Sequence, residues 1–96
     1  MQSKQAYEQK MRAKMDQWQA ELDKLEAKAR EADADARLAY AQQIDDLKAR
    51  QRAAQAKLDE LRDAGAEAWD QLKSGIEKAL QDLKDGFTSA SAKLKD

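Results

Sequence analysis

A chain of 96 residues with 20 Ala, three Gly and no Cys, His, Pro or Val has the length of one domain and few large side chains with which to fill it. Eighteen basic residues stand against nineteen acidic ones, for a net charge of −1, so there is neither the polycationic balance of a phosphate-binding protein nor an acidic tail. Only Ile44, Ile76 and Thr88 are β-branched, which excludes a sheet and leaves an all-α, highly charged protein.

From the amino terminus, an apolar stripe runs Tyr7, Met11, Met15, Trp18, Leu22, Leu25, Ala29, Ala32, Ala36, Tyr40, Ile44, Leu47, Gln51, Ala54, Leu58, Leu61. Its steps of three and four are those of a coiled-coil seam, which predicts one long amphipathic helix over about 4–63. Three fours in succession between 32 and 44 read as a stutter that locally unwinds the supercoil. Glu8 with Arg12, Glu26 with Arg30, Asp33 with Arg37 and Asp46 with Arg50 place an acid four residues before a base, each pair adding about 0.2–0.5 kcal/mol to helix stability.

Beyond residue 61 the period changes. Leu61, Leu72, Leu83 and Leu94 recur every eleven residues, each followed by a base, an internal repeat that favours a nearly straight or slightly right-handed helix. Gly65 lies where the period changes and marks a turn near 64–66, followed by a shorter second helix over about 66–94. Ser74 with Glu77 matches a capping box but interrupts the repeat and is read as coincidence.

Folding the chain back at Gly65 as an antiparallel helical hairpin, or coiled coil, sets large residues of one helix against small ones of the other. Its packing residues are Tyr40, Ile44, Leu47, Leu58 and Leu61 against Trp69, Leu72, Ile76, Leu83 and Phe87. That hairpin leaves residues 4–35 unpaired, with Met11, Met15, Trp18, Leu22 and Leu25 exposed. Such a seam needs a cover, so these five residues are the expected interface of a homo-oligomeric helical bundle built from a single coiled-coil domain, 1–96.

Chemistry is scarce. Without His or Cys the chain has no imidazole base, thiolate nucleophile or ordinary zinc site, so no enzyme, no metal and no cofactor is expected. Asp33, Asp35, Asp45 and Asp46 lack EF-hand spacing and read as solvated helix surface. Lys4, Lys10, Arg12 and Lys14, opposed by Glu8, form the nearest thing to a basic cluster and also read as a solvated face, so nucleic acid is not an expected partner. No apolar run is long enough for a membrane span or a secretory signal, and a cytoplasmic location is expected.

The run Ala6-Tyr-Glu-Gln-Lys-Met, the Trp18, Leu22 and Leu25 seam, the Asp33-Ala-Asp-Ala-Arg centre and the segment Ala68-Trp-Asp-Gln-Leu-Lys-Ser-Gly-Ile-Glu-Lys-Ala-Leu resemble small bacterial coiled-coil proteins of stress responses, of the cyanobacterial and proteobacterial type. The resemblance covers nearly the whole chain and implies a stress-linked, non-enzymatic cytoplasmic protein, with no catalytic residues to carry over. The expected function is therefore that of a self-associating coiled-coil structural or protective protein. Two alternatives stand beside it. One lays the carboxy-terminal repeats on a membrane surface through Lys73, Lys78, Lys84, Lys93 and Lys95, against the opposing charge of Asp70, Asp82 and Asp85. The other is an adaptor that captures a different protein through its amino-terminal seam.

Overall fold

The computed structural model describes residues 3–94. They form α1 (Lys4–Glu31), α2 (Ala34–Asp63), a single 3₁₀ turn (Trp69–Leu72) and α3 (Lys73–Lys93), with no strand among them. The expected helix over 4–63 is thus two helices, and the chain folds as three helices rather than as a long helix with a shorter second one.

The break at Ala32 and Asp33 is built from ordinary capping chemistry. Ala32 (φ −75°, ψ 155°) and Asp33 (φ −71°, ψ 172°) leave the helical region, and the Asp33 carboxylate accepts from the Ala36 amide at 3.0 Å as the N-cap of α2. Arg37 closes the turn from the other side. Its guanidinium donates to the carbonyls of Ala32 (2.8 Å) and Arg30 (3.2 Å), which α1 leaves without helical partners. The first of the three successive fours, from Ala32 to Ala36, spans this turn, and the other two lie within α2, so no stutter in a single continuous helix results. Asp33 and Arg37, expected to pair across one helical turn, instead cap opposite sides of the break; Glu26 likewise turns from Arg30 to Lys48 (3.9 Å), whereas Glu8–Arg12 and Asp46–Arg50 form as expected at 2.9 Å.

The second break falls beside Gly65, but not through a left-handed glycine. Gly65 has no positive φ, and Ala64 closes α2 in extended geometry with its amide on the Leu61 carbonyl. The carbonyls at this end are satisfied from across the bundle: the Lys4 ammonium donates to those of Arg62 (2.9 Å) and Ala64 (2.6 Å). The second helix expected from residue 66 starts later, at Lys73, after the 3₁₀ turn.

The three helices run up, down and up in a body of 51 × 19 × 17 Å. One apolar cluster joins Tyr7, Met11 and Met15 of α1, Ala54, Leu58 and Leu61 of α2, and Ile76, Leu80 and Leu83 of α3; a second, smaller one joins Leu22, Ile44, Leu47 and Ala90. Phe87 packs against both. Leu22, Leu47, Leu58, Leu61, Ile76 and Leu83 are fully enclosed, each contributing about 1.5–3 kcal/mol. Leu38, 65% exposed, is the large apolar residue left outside.

Two glycines on α3 differ in what surrounds them. A methyl on Gly75 would reach only Lys57 Cδ, at 4.0 Å. On Gly86 it would lie 2.7 Å from Arg50 Cδ and 3.1 Å from Leu47 Cδ2, where Arg50 crosses α3 to donate to the Asp82 carbonyl at 2.7 Å. Gly75→Ala is expected to stabilise the protein by about 0.5–1 kcal/mol through helix propensity. Gly86→Ala, which must displace Arg50 and crowd Leu47, is expected to lose about 1 kcal/mol net despite the same gain. Urea unfolding of the two variants checks the contrast, and equal stabilisation by both would show that α2 and α3 do not approach closely at Gly86.

Candidate functional site

Polar and aromatic side chains meet the apolar core together where α1 and α3 begin. Heptad-like spacing places Tyr7 on the inner face of α1, and the 3₁₀ turn swings Trp69 and Lys73 over it. The Tyr7 and Trp69 rings are 5.7 Å apart and tilted by 45°. The Lys73 ammonium sits 4.4 Å from the Trp69 ring centre and 5.4 Å from that of Tyr7, and pairs with the Asp70 carboxylate at 3.0 Å. The Tyr7 hydroxyl donates to Glu77 Oε1 at 3.2 Å and lies 3.4 Å from the Lys73 carbonyl.

This arrangement decides what the cluster can do. Burial of Tyr7, only 3% exposed, opposes formation of a phenolate, and the neighbouring Glu77 charge and hydrogen bond act in the same direction, so its pKa is pushed up to about 12. A phenol so held neither gives up its proton readily nor attacks as a nucleophile. Asp70 and two aromatic faces engage the Lys73 charge. The cluster is a clasp that fixes the start of α3 onto α1. Further along the same pair of helices Trp18 stacks on Phe87, ring centres 4.8 Å apart and planes 18° from parallel, as a second clasp.

The residues singled out in the sequence converge on the core. Met11, Met15 and Leu22 are buried, with Trp18 and Leu25 half-buried, all against residues of the other two helices. Their assignment to an oligomer interface rested on a missing intrachain partner; the break at Ala32 folds α1 back and supplies one. Ile44, Leu47, Leu58, Leu61, Ile76 and Leu83 are buried, and Tyr40, Trp69, Leu72 and Phe87 half-buried, in the same clusters. Sequence reasoning missed the role of Lys73, which the membrane alternative faced toward lipid headgroups, of Arg37 and Lys4 as caps, and of Arg50 as a bridge from α2 to the Asp82 carbonyl of α3. Asp70 and Trp69 stand three and four residues before Lys73, a local signal, whereas Tyr7 carries none, because it meets them only after α1 is folded back.

Asp33, Asp35, Asp45 and Asp46 do not converge, and among the described residues no three His, Cys, Asp or Glu side chains are grouped to hold a metal ion. No helix is long and apolar enough to cross a membrane. Lys95 lies outside the described residues. Family models, curated proteins and solved structures yield no match to this chain.

The clasp has an alkaline signature. The folded pKa of Tyr7 is raised above the unfolded value of 10.0, so its stabilisation is complete below about pH 10 and is lost as pH rises to about 12, where the unfolded chain releases a proton the folded one keeps. Tyr7→Phe is expected to lose about 1 kcal/mol near neutral pH with the hydrogen bond to Glu77, and then to fall less steeply than the parent between about pH 10 and 12. Parallel alkaline limbs in chemical unfolding of the two proteins would show that Tyr7 ionises as freely in the fold as outside it.

Proposed function

We propose that this is a non-enzymatic structural or protective helical protein, a stiff hydrated rod that acts through its charged exterior and not through a reactive pocket. The observation that carries the reading is the direction of the apolar faces: apart from Leu38, the large apolar side chains of the described residues are turned into or against the two clusters. The outside is left to mixed charges paired at the surface, such as Arg12 with Glu8 and Asp59, and Lys57 with Glu60. Pairs of this kind add little to stability, and the charged exterior they make is the face the rod presents to water and to neighbouring proteins. A stress-linked role in the cytoplasm belongs to the proposal on the strength of the sequence resemblance.

The membrane-surface alternative draws on the apolar face of α3. Presenting that face to lipid would release Leu72, Ile76, Leu80, Leu83 and Phe87 from the core at about 1.5–3 kcal/mol each, and Lys73 is already engaged by Asp70 and Trp69. The adaptor alternative loses its surface in the same way, because the amino-terminal seam is occupied within the chain.

The intact protein is expected to remain in solution when sedimented with anionic phosphatidylglycerol vesicles, with unchanged Trp69 emission in a Trp18→Phe background. It is also expected to slow the aggregation of a heat-labile enzyme mixed with it. Salt-sensitive vesicle binding with a blue shift would replace the proposal with the membrane reading, and a client that aggregates at the same rate with and without the protein would remove the protective role.

A further inference from the structure

Going beyond this reading, we infer that the turn at Ala32 and Asp33 is a hinge, and that two copies of the chain form an exchanged dimer in which α1 and α2 straighten into one helix. In that dimer each α1 packs on the partner's α2 and α3, so that the contacts of the closed molecule are remade between chains.

The first ground is the phase of the seam. Wound as one helix at about 100° per residue, the buried residues of α1 (Tyr7, Met11, Met15, Leu22) and of α2 (Ile44, Leu47, Ala54, Leu58, Leu61) fall in a single sector about 100° wide. The half-buried Ala29, Ala36 and Tyr40 fall in it too. A closed turn places no such demand on two antiparallel helices. A continuous helix does, because its seam must face one way throughout.

The second ground is the turn itself. It consists of two residues, contains no Gly or Pro, has no positive φ, and is flanked by Ala29, Ala34 and Ala36. Ala is the residue most easily taken into a helix, and a short connection between packed helices favours exchange. Straightening would pair the orphan amides of α2 with the orphan carbonyls of α1, the groups that Asp33 and Arg37 satisfy in the closed form. Asp33 and Arg37 would then stand four apart on one helix, acid first, free to pair.

The third ground is the packing around the hinge. Little is enclosed there: Leu25, Ala32, Ala36, Tyr40 and Leu94 border an open hollow of about 610 Å³. Opening this end therefore disturbs a loosely filled part of the molecule. The register for exchange already exists, with Gln19 bonded to Gln51 and Arg12 beside Asp59. The same offset between two straightened chains sets Ala32 of each copy close to Ala36 of the other, small against small at the two-fold axis.

The test uses the full chain, spin-labelled at Gln19→Cys and Gln51→Cys, refolded at high concentration with an excess of unlabelled protein and separated by size. In the closed monomer the two labels are adjacent. In an exchanged dimer with an unlabelled partner they are 32 residues apart on one helix, about 48 Å at about 1.5 Å per residue. Asp33→Ala with Arg37→Ala, which removes the caps that hold the turn, is expected to tighten dimerisation at least tenfold with helicity retained. Ala34→Pro, at the first position of α2 where proline suits the closed turn and prohibits the straight helix, is expected to abolish the dimer and leave a folded monomer. A dimer that keeps the short label distance, a dimer that survives Ala34→Pro, or the absence of any dimer from the parent and the doubly substituted chain alike would each overturn the inference.

Discussion

The fold depends on one constraint: a narrow apolar stripe with few large side chains must be covered on all sides. Two such helices laid together leave half of each stripe open. Three close the gap, because each stripe then faces the groove between the other two, and one large apolar side chain from each helix is enough to fill it. Leu58, Ile76 and Met11 show the economy of this solution, one buried residue per helix in the same cluster. Where the stripe is made of Ala, around residues 29–36, the layers thin and the helices enclose less.

Polar groups serve the same constraint at the places where the chain must turn. Each break in a helix leaves amides or carbonyls that water or a side chain must satisfy. Here the partners come from the neighbouring turn for α1 and α2, through Asp33 and Arg37, and from the far end of the sequence for the last turn of α2, through Lys4. Among the described residues no buried side-chain nitrogen or oxygen lacks a partner. Tyr7 reaches this state only through Glu77 and the Lys73 backbone, which ties its burial to the presence of α3.

The sequence made the helical class and the identity of the core legible, because both follow from spacing along a single helix. Tyr7, Met11, Met15 and Leu22 share a stripe whether the helix ends at residue 31 or continues. The break at Ala32 was harder to read for the same reason: a stripe that keeps its phase through the turn looks continuous, and Asp33 as an N-cap is indistinguishable from Asp33 as the acid of a pair with Arg37. Once that break was missed, the amino-terminal seam lacked a partner and pointed outward. The second break was legible from Gly65 and the change of period, although the conformation of Gly65 is ordinary and a distant lysine does the capping. The part of the clasp that Tyr7 makes was not legible, since Tyr7 and Lys73 are 66 residues apart and meet only in the folded chain.

An odd number of helices has a mechanical consequence. Ser3 lies at the end of the rod where α2 finishes, and Leu94 lies at the other, beside the turn between α1 and α2. Tension applied through these two points runs along the long axis and loads the helices in shear, so that the layers of the core must slip past one another together and cannot separate in succession. A two-helix or four-helix arrangement of the same stripes, with both ends on one side, would unzip layer by layer under the same pull. The third helix, which closes the core chemically, also sets that core to resist in shear a pull on the ends of the rod.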